Sequence, residues 1–303
     1  MTKKIMTTAC LFTTAIIWGF AFVAQLFGAE EVGAFAMNGL RFPLGVISLL
    51  PVMFIFERGK MDSEERKNTF IASLAAGTVL FCASTLQQIG ILVTGSVGIS
   101  GFITGLYTVF IPIACYVFFK KKTGVSVVIA ALIAVVGIFL LCVKPEEGFS
   151  FGFGELLLLI GAFFWTAHVV IVDRLGKGLR SIHFSVGQFT VCSFWCVLVM
   201  MIFERPSIES IVAAAPSIIY AGVFSVGIAY TLQVVGQKRA DPTFAAIVFS
   251  TESVFSAIGG VMFGIDSISP VGYLGCALIF TGIVISQLDF SAIAQKYKNK
   301  VKQ

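Results

Sequence analysis

Long apolar runs separated by short polar connections recur along the chain. A helix needs about 20 residues to cross the hydrocarbon core of a bilayer. Runs of that order lie at 8–27, 34–56, 69–93, 98–119 and 125–143, and again at 154–172, 184–203, 216–235, 244–263 and 271–288. They do not alternate apolar with polar residues as a barrel wall would, and backbone groups in lipid must bond within their own segment. The pattern predicts an all-α integral membrane protein with ten transmembrane helices.

The polar connections test that count, because Lys and Arg collect in every second loop when spans alternate in direction. One set of loops holds Lys3 and Lys4, then Arg58, Lys60, Arg66 and Lys67, then Lys120, Lys121 and Lys122. It continues with Arg174, Lys177 and Arg180, then Lys238 and Arg239, and ends on the lysines of the C-terminal tail. The intervening loops carry only Lys144 and Arg205 among many acids, including Glu30, Glu31, Glu146, Glu147, Glu204, Glu209 and Asp266. Both termini are therefore expected in the cytoplasm. The basic N-terminus followed by an apolar run has the look of a signal peptide, but nine further spans make an uncleaved first helix the expectation.

The second five spans echo the first five. Trp18 in the first span is matched by Trp165 in the sixth, and Leu86-Gln87 in the third by Leu232-Gln233 in the eighth. In a nearby register Val109-Phe110 matches Val254-Phe255. A duplicated unit with an odd number of spans must sit once in each orientation, so a 5+5 inverted-topology repeat is expected. Its halves would be residues 1–147 and 148–290, followed by a basic tail at 291–303.

Composition agrees. With 57% hydrophobic and 12% charged residues and a mean hydropathy of +0.97, a soluble chain would expose far more apolar surface than water tolerates. The net charge of +5 resides in the loops and is no nucleic-acid signal. All seven cysteines fall in apolar spans, so neither a disulfide framework nor a metal site is expected; Cys192 and Cys196 share a helix face as packing residues.

At the matched positions the chain resembles the EamA-type members of the drug/metabolite transporter superfamily. The resemblance rests on Trp18-Gly19, on Leu40-Arg41-Phe42, and on Ala229-Tyr230-Thr231-Leu232-Gln233 running into Gln237-Lys238-Arg239-Ala240-Asp241-Pro242. The ninth-span pattern Glu-Pro-Val-Phe stands here as Glu252-Ser253-Val254-Phe255, with Asp266 following. The missing proline predicts a straighter ninth helix, while Pro112 is expected to interrupt the fourth. The resemblance covers about Trp18 to Leu288 and implies ten helices in two halves around a shared central cavity, opened alternately to either side. It does not specify a substrate.

Polar side chains within spans supply the candidate site, since they are costly unless they face the bundle interior or a hydrated path. Glu252 lies near the middle of the ninth span and is the one carboxylate so placed. It either lines or gates a cavity or, protonated, bonds a neighbouring helix. Arg41 is the one cation well inside a span. It either meets Glu252 or reaches back to the interface along its own stem. Gln87 and Gln233, at matched positions, suggest contacts on opposite walls of one site, and Gln188 adds a further buried amide; interhelical hydrogen bonding is the alternative for each. Trp18, Trp165, Tyr107 and Tyr230 are candidate aromatic walls, although 31 Phe make any single aromatic position ambiguous. His168 is a candidate for proton coupling, with a bond to a neighbouring helix as its alternative. Gly95, Gly98, Gly101 and Gly105 form a small-residue stripe suited to close helix approach.

No phosphate-binding loop and no His-Glu-x-x-His motif is present, so neither a nucleotide-driven pump nor an enzyme is expected, and no cofactor or metal. The expected function is secondary transport of a small solute across a cell membrane, most simply a bacterial inner membrane. The sparse buried charge favours a neutral, zwitterionic or lipophilic solute. A non-transporting sensor or scaffold is the other reading, and a homodimer is left open.

Overall fold

A computed structural model describes residues 2–120, 125–142, 152–267 and 269–286. Every regular element among them is helical. In chain order these are α1 (Thr2–Val32), α2 (Ala34–Phe56), α3 (Ser63–Thr94), α4 (Val97–Gly105), α5 (Tyr107–Phe119), α6 (Val125–Cys142) and α7 (Phe153–Leu175). There follow α8 (Ser181–Phe203), α9 (Ile208–Ala213), α10 (Ala215–Ile219), a π-helical segment (Tyr220–Ala229), α11 (Tyr230–Gln237), α12 (Pro242–Phe249), α13 (Glu252–Met262) and α14 (Pro270–Ser286).

Among the described residues, eight helical stretches are long and apolar enough to cross a membrane, from Ile5–Val32 to Phe244–Met262. Two shorter apolar segments, Val128–Gly137 and Pro270–Gly282, lie in the expected fifth and tenth spans. The helices that contain them, α6 and α14, pack on each other. The expected junction between halves, Lys121, Lys122, Lys144 and the basic tail fall outside the described residues.

Local chemistry sets the element ends. Asp62 Oδ1 accepts the Glu65 N–H at 2.7 Å and starts α3 some residues before its apolar run. Gly95 closes α3 in the left-handed conformation, with φ of 61°. Ser96 Oγ then accepts the Ile99 N–H and opens α4. The glycine stripe thus divides its work. Gly95 is a cap, whereas a Cβ on Gly101 would lie 2.3 Å from Ser256 Oγ, so α4 and α13 meet there almost backbone to backbone.

Two expectations about helix shape are corrected. The ninth span is not straight without its proline: it breaks between α12 and α13, where Ser250 and Thr251 hydroxyls bond back to the Ile247 and Val248 carbonyls. Those hydroxyls compete with the helix ladder much as a proline interrupts it. In the fourth span the break falls at Leu106, whose N–H bonds Ile103 in a tight turn. Pro112 sits inside α5. The eighth span carries a third irregularity that the sequence reading lacked, the π segment, which holds Gly222 and Gly227.

Apolar side chains cover the outside of the bundle and fill most of its interior, where a minority of polar side chains is also buried. Phe54, Phe118, Phe194 and Leu274 stand exposed, as lipid-facing side chains do, while Gln25, Asn38, Arg41, Gln188, Gln233 and Glu252 are buried. Helices of the two halves interleave throughout. α3 packs on α7 and α8, α2 on α8 and the π segment, and α1 on α13 and α11.

Candidate substrate cavity

A cavity of about 460 Å³, measured to its open mouth, lies between the halves. α1 contributes Trp18 and Gln25, α2 Arg41, α3 Gln87, α4 Thr104 and α5 Tyr107. From the second half come Trp165 on α7, Ser225 on the π segment, Tyr230 and Gln233 on α11, and Glu252 on α13.

The irregular segments put side chains there. Tyr107 and Glu252 are the first residues of α5 and α13, so each follows a helix break. Discontinuous helices are tolerated at such depth where they are buried in protein or line a cavity. The π segment comes against α2 through glycine: a Cβ on Gly222 would lie 2.9 Å from the Arg41 carbonyl, and one on Gly45 would lie 2.3 Å from Val226. A close approach also seats Glu252, since a Cβ on Gly19 would meet its carbonyl at 2.8 Å.

Arg41 is 2% exposed, so it does not reach the membrane interface. Its Nε donates to Asn38 Oδ1 at 2.9 Å, and Asn38 Nδ2 in turn donates to the Ser84 carbonyl at 3.1 Å. The guanidinium is therefore held by a neutral relay. It forms no ion pair with Glu252 in this structure, although both face the same cavity. No hydrogen bond or ion pair reaches the Glu252 carboxyl from the described residues.

Around these two groups stands an aromatic cluster. The Trp18 and Tyr230 rings are 4.7 Å apart, and Trp165 lies parallel to Tyr230 at 6.1 Å. Several polar atoms at the wall have no partner among the described residues: Trp18 Nε1, Trp165 Nε1, Tyr107 Oη, Gln25 Oε1 and both amide atoms of Gln233. Unsatisfied buried polar groups cost about 1–3 kcal/mol each, so those at the wall ask for an explanation.

Eight of the ten residues read from the sequence thus converge on the cavity, while His168 and Gln188 do not line it. They are bonded to each other, Nε2 to Oε1 at 3.0 Å, behind the aromatic wall, where the His168 ring meets Trp165 and Tyr230 edge-on. Gln25, Thr104 and Ser225 were missed. Gln25 carried a readable signal, two helical turns from Trp18 on the same face; the two hydroxyl residues resembled many others. Cys192 and Cys196 pack together, with sulfurs 3.8 Å apart, and no group of metal-ligating side chains occurs among the described residues.

Contacts between halves fasten the bundle on both faces. On the face rich in Lys and Arg, Glu57 Oε1 accepts the Ile182 N–H at 3.0 Å, and Oε2 accepts the His183 N–H at 2.9 Å. His183 Nδ1 lies 2.7 Å from the same Oε2. Burial alone would raise the Glu57 carboxyl, but the Ile182 N–H and the His183 ring and N–H hold it below its ordinary value. Nearby, Arg180 binds Glu65 at 3.0 Å and the Gly59 carbonyl at 3.0 Å. On the opposite face, Glu204 Oε2 accepts the Ala36 N–H at 2.7 Å. There Asp266 accepts the Ser96 hydroxyl at 2.9 Å and the Gly98 N–H at 2.8 Å.

Comparison with known proteins gives this arrangement its family. Residues 6–143 and residues 152–288 each match the EamA-like transporter family. The chain belongs to the EamA-like transporter family. It is similar to an uncharacterized transporter of Archaeoglobus fulgidus, 25% identical over 94% of this chain and 87% of the relative. It is also similar to the uncharacterized transporter YoaV of Bacillus subtilis, 25% identical over 93% and 96%. A protein of known crystal structure shares the fold, with a TM-score of 0.73 at 19% identity over 93% of this chain and 96% of that one. The EamA-like chain is a multi-pass membrane protein whose two family-matching segments both contribute to the cavity.

Proposed function

We propose that this protein is a secondary transporter that moves a small solute by exposing the cavity between its halves to one side of the membrane and then the other. The observation that carries the proposal is the cavity wall itself. It joins one guanidinium, one carboxyl and a set of unpartnered amide, indole and phenol groups, drawn from both halves and set among aromatic rings. A zwitterionic solute with an apolar portion fits that chemistry: an anionic group toward Arg41, a cationic or donor group toward Glu252, and the remainder against Trp18, Trp165 and Tyr230. The proposal includes ten spans as two inverted five-helix units, both termini in the cytoplasm and residence in a bacterial inner membrane, with export the favoured direction. The mutual packing of α6 and α14, and the interleaving of α2, α3, α7 and α8, support the repeat arrangement.

Thermal-shift screening of the purified protein against amino acids, nucleosides, sugars and hydrophobic cations tests the solute class, because a ligand bound to the folded state raises its melting temperature. A zwitterion should give a shift that disappears in Arg41→Gln. Stabilisation by sugars alone would refute the zwitterion reading. An absence of flux for every class in proteoliposomes would favour the scaffold reading.

A further inference from the structure

The closures on the two faces are related to each other. Glu57 immediately follows α2 and caps the start of α8, while Glu204 immediately follows α8 and caps the start of α2. The separation that relates Trp18 to Trp165 also relates Glu57 to Glu204, and Ala36 to His183, whose N–H groups the two carboxylates bind. The same contact is thus made twice, with donor and acceptor halves exchanged. Each of these helices has 23 residues, and at 1.5 Å per residue the two contacts stand about 34 Å apart, at opposite ends of one antiparallel pair. Arg41 faces the cavity from α2 between them.

We propose that Glu57 and Glu204 are a reciprocal pair of latches, each fastening one face of the cavity, and that releasing one tightens the other. The inference rests on the alternating-access reading above. A charge-assisted bond from a carboxylate to a helix N-terminus is strong for its size and sharply directional, so its loss frees one end of the pair. α2 and α8 pack on each other, with Phe35 against Phe203 near one end and Glu57 on His183 at the other. Parting them at one end therefore rocks them together at the other, the motion that alternating access requires of inverted units. Close fit marks the second latch: a Cβ on Gly33, where φ is 92°, would lie 2.4 Å from the Glu204 carboxylate.

Hydrogen exchange of the full chain in lipid nanodiscs, read by mass spectrometry, tests this without a known substrate. In Glu57→Gln the amides of residues 181–184 should exchange at least tenfold faster, while those of 34–37 become severalfold slower than in wild type. Glu204→Gln should give the mirror image. Faster exchange at both faces in either variant, or a response confined to the altered face, would overturn the inference. If a Gln variant does not fold, the Asp variant, which keeps the charge on a shorter stem, is read in the same way. Reciprocal exchange in a protein without flux would leave the latches and remove the transport reading. Flux without reciprocity would do the opposite.

Discussion

The two halves bring the same scaffold to the cavity and different chemistry. Trp18 and Trp165 face it from equivalent places, as do Gln87 and Gln233. At other equivalent places the halves part company. Arg41 of α2 reaches the cavity, whereas Gln188, which follows it at the separation of the two tryptophans, is tied to His168 behind the wall. Tyr107 and Glu252 each open a helix after a break, one as a neutral phenol and the other as a carboxylate. Both family-matching segments bring a tryptophan and a glutamine to the cavity, whereas the cation comes from one of them and the carboxyl from the other. The difference teaches that the cavity has a polar axis running from one half to the other.

Making the halves alike at Arg41 should have the largest effect. Arg41→Gln removes the one fixed cation, and ligand affinity should fall about a hundredfold, or ~2.7 kcal/mol; titration calorimetry with the solute found by thermal shift checks this. Next comes the carboxylate. Glu252→Gln should weaken binding about tenfold, against about threefold for Tyr107→Phe, because a hydrogen bond to a charged group is worth more than a neutral one. Equal losses from these two variants would argue against a polar axis. Among the amides, Gln233→Leu should cost affinity severalfold. His168→Phe should leave affinity unchanged while lowering the melting temperature, since His168 supports the wall without touching the cavity.

The faces offer a smaller contrast. A carboxyl whose folded pKa is depressed contributes stability that is present above its unfolded value, about 4.3 for glutamate, and lost as pH falls through the folded value. Glu57 is such a group. Exchange of residues 181–184 should therefore accelerate, beyond the intrinsic pH dependence of exchange, as pH falls below the ordinary carboxylate range.

Much of this was legible in the chain. Continuous apolar runs placed the long helices, and the rarity of polar residues within them led directly to Arg41, Gln87, Gln233 and Glu252. In a membrane bundle the polar minority has few places to go, so position along a span nearly determines which way it faces. What stayed hidden were features set by tertiary contact. The π segment has no compositional mark, and the break before Glu252 falls at Ser250 and Thr251, whose hydroxyls bond back to the helix, although the family pattern's proline is missing. His168 and Gln188 have the polarity of cavity residues but bond one another through Nε2 and Oε1, a pairing that depends on how α7 and α8 pack. Glu204 reads as an ordinary loop acid, and Glu57 draws no notice in the sequence, until each is seen at the start of the other half's helix.

The central claim is that the cavity between the halves is the solute site of a transporter. Flux of a panel of zwitterionic solutes into proteoliposomes, compared between the wild type and folded Arg41→Gln and Glu252→Gln proteins, tests it most directly. The account predicts saturable flux of at least one zwitterion that both substitutions sharply reduce. Saturable flux that neither substitution alters, or no saturable flux for any member of the panel, would contradict it.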